Sequence, residues 1–232
     1  MSIDIRHAVV TGSSSGIGRE IAEALLNTGW QVSGLDVAQP SIVDPSFTHI
    51  AVNLADGADI ARVAATLPNV DALVHAAGVL RVGPLGQLDH AGGELMWRLH
   101  VDAATRLADA IVPGMAQRGQ GRVVFIGSRV AQGMAGRGQY AATKAALIAL
   151  ARSWAAEVAA QGVTVNVVSP AATATGMLID PARQGSAPRL PPIGRLIEPA
   201  EIAALVGFLL SAPAAAITGQ DIAICGGSSL AR

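Results

Sequence analysis

The stretch VVTGSSSGIGREIAEAL, residues 9–25, decides the fold. An apolar run ends in Thr11, and Gly12, Gly16 and Gly18 follow in the spacing G-x-x-x-G-x-G. The residues beyond them carry apolar side chains at helical intervals. Glycines let a chain turn tightly and let a ligand approach the backbone closely. A helix opening directly after such a turn offers free N–H groups and the positive end of its dipole. Strand, glycine turn and helix in this order predict a pyrophosphate cradle. Its candidate contacts are Gly12, Ser14, Ser15, Gly16, Ile17 and Gly18.

Asp36 ends the next apolar run, eighteen residues after Gly18. A carboxylate there accepts hydrogen bonds from an adenosine ribose and repels a 2′-phosphate. Ser15 and Val37 supply no cation to hold that phosphate, so the expected cofactor is NAD rather than NADP. Two further stretches, NLAD (53–56) and HAAG (75–78), end the third and fourth runs. They place Asn53, Leu54, Ala76, Ala77 and Gly78 at the carboxyl edge, where ligands of open α/β sheets bind.

Strands are expected at 7–11, 30–36, 48–53, 71–76, 122–127, 163–169 and 220–225, and helices at 17–28, 57–66, 92–117, 139–160 and 199–211. Strands that are apolar almost throughout are buried on both faces, as in a parallel sheet covered by helices. The expected fold is a single doubly wound α/β domain over 1–232, with seven parallel strands and helices on both faces. Residues 176–195, rich in Pro, Gly and Arg, are expected to form a substrate loop or an irregular connection.

Composition narrows the function. The chain has 232 residues, 51% of them hydrophobic, and a net charge of −1. That balance offers no electrostatic footprint for nucleic acid or a membrane surface. The single cysteine, Cys225, forms no internal disulfide, and the five histidines lack metal-ligand spacing. No metal is expected. The apolar run 202–217 is broken by Pro213. With no signal-peptide pattern at the start, a cytoplasmic location is expected.

Tyr140 and Lys144 are i and i+4 on one predicted helix face in YAATK. A free tyrosine has a pKa of about 10, too high for a base near neutrality. A neighbouring ammonium favours the phenolate and lowers that value. The pair therefore reads as a general base for alcohol oxidation or a general acid for ketone reduction. Ser128, twelve residues before Tyr140, can hold the substrate oxygen. Lys144 and Tyr140 also count as cofactor contacts.

With these pieces in place, the sequence resembles the short-chain dehydrogenase/reductase family over nearly its whole length. The resemblance rests on TGSSSGIG (11–18), AAG (76–78), Ser128, YAATK (140–144), NVVSPAATAT (166–175) and GQDIAICGGSS (219–229). It implies hydride transfer on a nicotinamide, with Ser128, Tyr140 and Lys144 in the roles above. It adds Pro170, Ala171, Thr173 and Thr175 as cofactor contacts, Thr175 at the carboxamide. It also implies a homo-oligomer, dimer or tetramer, paired through helices 92–117 and 139–160, which carry Trp97 and Trp154. DALVHAAGVLRVG and QDIAICGGSSL resemble the dihydrodiol dehydrogenase branch, which suggests a cyclic hydroxy or dihydrodiol substrate.

The pattern is also broken. His100 stands where the family carries an Asn that holds a relay water. It reads either as a relay member with an added pH dependence or as a buried, hydrogen-bonded helix residue beside a weakened site. His75 replaces an Asn, Ala171 a Gly and Cys225 an acid, and the Ser–Tyr interval is one residue short. His75 reads as a bridge between strand ends. Arg81, Arg129 and Arg137 read either as exposed cations or as partners of an anionic substrate group. Two functions from different classes follow. One is an NAD-dependent oxidoreductase acting on a secondary alcohol or ketone. The other is a dinucleotide-binding protein with little turnover, acting as a regulator or assembly partner.

Overall fold

The computed structural model describes residues 6–179 and 189–230. Seven strands form one parallel sheet: β1 (His7–Thr11), β2 (Gln31–Asp36), β3 (Phe47–Ala51), β4 (Ala72–His75), β5 (Gly121–Ile126), β6 (Val163–Pro170) and β7 (Asp221–Ile224). Their order is β3-β2-β1-β4-β5-β6-β7. The order reverses at β1, whose neighbours are β2 and β4, and the crevice outside their carboxyl ends is where such sheets take ligands. The glycine turn leaves β1 at that crevice and enters α1 (Gly16–Asn27).

Alternation along each strand divides the core into two layers. Val9, Leu73, Val123, Phe125 and Val165 face one way, against Ala104 and Leu107 of α4 (Ala103–Gln117) and Leu147 and Ala151 of α5 (Gly138–Val158). Ala8, Val10, Val74, Val124 and Ile126 face the other, against Ile21 and Leu25 of α1 and Ile202 and Val206 of α6 (Pro199–Leu209). The branched and small side chains suit a sheet that must be apolar on both faces.

Two further α-helices are short, α2 (Gly57–Ala64) and α3 (His90–Trp97). The helix expected over 92–117 is interrupted. Between α3 and α4, Arg98–Asp102 widens into a π turn with His100 at its centre. Periodicity cannot anticipate this, because such turns answer to neighbouring elements and gather at functional sites. Trp154, expected at a subunit interface, packs edge-on against Phe125 with ring centroids 5.8 Å apart. Trp97 is 50% exposed. Of the expected substrate loop, 180–188 lie outside the described residues. Among the described residues no helix is long and apolar enough to cross a membrane, and no cluster of His, Cys, Asp or Glu fits a metal ion.

Candidate active site

A cleft of about 610 Å³ opens at the carboxyl edge of the sheet. It gathers residues scattered over the whole chain. Gly12, Ser15, Gly16, Ile17 and Gly18 line it from the glycine turn, and Asp36, Asn53, Leu54, Ala76, Ala77 and Gly78 from the strand ends. His100, Ser128, Tyr140, Lys144, Pro170, Ala171, Thr173 and Thr175 complete it. Of the residues expected in the site, only Ser14 is missing from this lining. Its N–H donates to Asp36 Oδ2 at 3.0 Å, and its hydroxyl donates to the Ala38 carbonyl at 3.1 Å.

Two of the cradle's glycines leave no room for a side chain. A Cβ on Gly18 would lie 2.3 Å from the Gly12 carbonyl oxygen, and one on Gly12 would lie 2.9 Å from Ala77 Cα. α1 has no side-chain cap from Ser15, whereas α2 and α3 are capped by Asp56 and Asp89. Its first N–H groups therefore remain available to a phosphate. The Asp36 carboxylate is pinned by Ser14 N–H on one oxygen and by Ala38 N–H, at 2.9 Å, on the other. Lone pairs remain for ribose hydroxyls. Val37 beside it is 76% exposed and uncharged. This donor and acceptor set fits a dinucleotide.

Lys144 is 5% exposed. Its Nζ donates to the Ile126 carbonyl at 2.8 Å and lies 5.7 Å from the Tyr140 ring centroid. Burial lowers its pKa to about 7. Ser128 caps the short 3₁₀ turn Arg129–Gln132, its Oγ accepting from Val130 N–H at 3.2 Å. That bond orients the oxygen while its own hydrogen stays available to a substrate. Tyr140 belongs to a small apolar cluster with Leu80, Met96, Val130 and Ala141. Tyr140 thus lines the cleft as part of an apolar wall.

Two buried histidines brace this arrangement. His100 is 0% exposed and packs edge-on against the Tyr140 ring, centroids 5.6 Å apart. Thr143 Oγ1 donates to the Tyr140 carbonyl at 2.8 Å, so it can only accept from His100 Nδ1, at 2.8 Å. His100 Nε2 accepts from Val79 N–H at 3.1 Å. Both nitrogens are therefore engaged by a neutral ring with its proton on Nδ1. Burial first, then the Lys144 charge, pushes its pKa well below the ordinary value of 6.5. Of the two readings of His100, the geometry supports the buried, hydrogen-bonded one. A Cβ on Gly78 would lie 2.7 Å from His100 Nε2, which ties that glycine to this imidazole.

His75 bridges strand ends as expected. Its Nδ1 meets Thr11 Oγ1 at 3.0 Å, and its Nε2 donates to the Leu99 carbonyl in the π turn at 3.0 Å. Thr11 Oγ1 also accepts from the N–H groups of Ala76 and Ala77, each at 3.0 Å. The sequence reading missed Thr11 and Thr143 as parts of the site, although both stand inside motifs it singled out. Nothing in the sequence marks the Leu99 carbonyl.

Residues 12–229 match a family model described as enoyl-(acyl carrier protein) reductase. The chain is 35% identical to a 3-oxoacyl-(acyl-carrier-protein) reductase of Vibrio cholerae, over 98% of each protein. It is also 35% identical to the 2,3-dihydro-2,3-dihydroxybenzoate dehydrogenase of Escherichia coli, over 99% of each. A solved structure described as a short chain dehydrogenase/reductase family protein superposes with a TM-score of 0.88 at 34% identity, covering 100% of both chains.

Proposed function

The chain belongs to the short-chain dehydrogenase/reductase family, and from that premise we propose an NAD-dependent oxidoreductase acting on a secondary alcohol or its ketone, of cyclic hydroxy or dihydrodiol type. One observation carries the reading: Ser128, Tyr140 and Lys144 line the same cleft as the glycine turn. Gly12, Gly16 and Gly18 bring backbone to the pyrophosphate, and Asp36 accepts from the adenosine ribose. Bound nicotinamide supplies the hydride acceptor or donor.

The chain's own residues manage the proton. Ser128 donates its hydroxyl hydrogen to the substrate oxygen and steadies charge developing there. The Tyr140 phenolate oxygen takes the alcohol proton in oxidation, and the hydroxyl so formed gives it to the carbonyl oxygen in reduction. When protonated, Lys144 lowers the tyrosine pKa through its charge. His100 is a positioning residue, acting on Tyr140 through Thr143 and through its ring face. Discrimination against NADP follows from the Asp36 carboxylate, with no cation at Ser15 or Val37. The single cysteine suits a reducing compartment such as the cytoplasm. Half-exposed Trp97 supports a homo-oligomer, which light scattering would test.

A panel of cyclic alcohols and dihydrodiols with NAD, and of 3-oxoacyl thioesters with NADH, followed by nicotinamide absorbance, tests the activity. Tyr140→Phe is expected to lower turnover about 100-fold or more while NADH still binds. Asp36→Ala is expected to weaken NAD binding about tenfold and to narrow the gap to NADP. Tight NADH binding with no turnover on any substrate would replace the enzyme by a dinucleotide-binding regulator.

A further inference from the structure

Charge is unevenly distributed along the cleft. Among the described residues its only lining carboxylate is Asp36, at the ribose end, whereas Arg129, Arg137 and Arg189 line it elsewhere. Arg129 follows Ser128 directly, on the 3₁₀ turn that orients the serine hydroxyl. Its situation differs from that of other arginines in the chain. Arg19, Arg62, Arg98, Arg106 and Arg195 each pair with a carboxylate. Arg118 and Arg122 donate to backbone carbonyls. Arg129 is half-buried and has no carboxylate or carbonyl partner among the described residues. A guanidinium drawn partly out of water without an acceptor is costly, and a planar carboxylate is its best complement. The same cleft is lined by Val130, Leu80 and Met134, which belong to one apolar cluster.

We propose that Arg129 is a specificity-determining residue that binds a carboxylate on the substrate, whose compact apolar body rests on Val130, Leu80 and Met134. This rests on the oxidoreductase reading for its substrate chemistry, but the anion site itself does not need turnover. The substrate class is then a small cyclic hydroxy acid or oxo acid. A thioester on a carrier arm would instead bring phosphate.

Benzoate and benzamide are matched probes of shape and charge. Their affinities for the protein–NADH complex are measured by calorimetry, beside inorganic phosphate. Benzoate is expected to bind more tightly than benzamide and phosphate, and Arg129→Ala to weaken benzoate about tenfold or more. Arg129→Lys should recover part of that loss, and benzamide and NADH affinities should not change. Equal binding of benzoate and benzamide, no benzoate binding, or benzoate affinity indifferent to Arg129 would overturn the proposal. So would phosphate binding in benzoate's place. In parallel, 3-hydroxycyclohexanecarboxylate and cyclohexanol are assayed with NAD. Turnover of cyclohexanol as efficient as that of the acid removes the carboxylate requirement and leaves the oxidoreductase reading intact. Arg129-dependent benzoate binding with no turnover of any alcohol sinks the oxidoreductase reading and leaves the anion site standing.

Discussion

His100 shows how far one side chain can be specified by its neighbours. Val79 N–H demands a bare Nε2, and Thr143, its hydrogen spent on the Tyr140 carbonyl, demands a proton on Nδ1. Only one tautomer of the neutral ring satisfies both. His75 takes the other, because the Leu99 carbonyl can only accept from Nε2. Long-range nitrogen–proton NMR spectra are therefore expected to show a protonated Nδ1 on His100 and a protonated Nε2 on His75. Neither signal should move between pH 5.5 and 8, because burial lowers both pKa values, His75 to about 3. A His100 titration near 6.5 would contradict the network. His100→Ala leaves Val79 N–H and Thr143 without their partner and is expected to cost about 1–3 kcal/mol in urea unfolding. His100→Asn restores only a shorter polar group. It is expected to keep more turnover than the alanine variant, without adding a new ionisation to the pH profile.

At the scale of elements, the sequence and the structure agree where one segment's own chemistry decides. Apolar runs of Val and Ile became strands, and the glycine spacing became the β1–α1 turn. A glycine's role nevertheless depends on what faces it. The Cβ of Gly18→Ala would be driven into the backbone of Gly12, which cannot yield. That variant is expected to lose about 1–3 kcal/mol of stability or more, together with NADH binding. Gly207, inside α6, faces open space within 4 Å. Gly207→Ala should gain up to about 1 kcal/mol and leave binding unchanged, because alanine is the better helix former. Urea midpoints and NADH fluorescence titrations check both. The expected helix 92–117 fared differently. Its apolar spacing gives no hint of the π turn at Arg98–Asp102, whose Leu99 carbonyl and His100 ring are held by partners from β4 and α5.

Across the whole molecule, the folded chain buries a cation that the unfolded chain leaves in water. Lys144 keeps its proton up to about 7 when folded, against an ordinary 10.5. Between those values the unfolded state binds more protons, so this group makes stability rise with pH across that window. Below it the full burden of a buried ammonium remains. Lys144→Met removes the dependence. The melting temperature of the wild type, relative to that variant, is expected to climb from pH 7 to pH 9.5. A constant difference would mean that the amine is solvated. What the sequence by itself determined is the doubly wound sheet, the glycine cradle and the pairing of Tyr140 with Lys144. These depend on local turn chemistry and on periods of two and 3.6 residues, and short spans of chain carry both. Tertiary structure alone decided the tautomers of His75 and His100, the depressed lysine pKa, the π turn and an Arg129 with no carboxylate or carbonyl partner among the described residues. Each depends on which groups from remote segments meet in a space that water has left, and no spacing along one chain encodes that meeting.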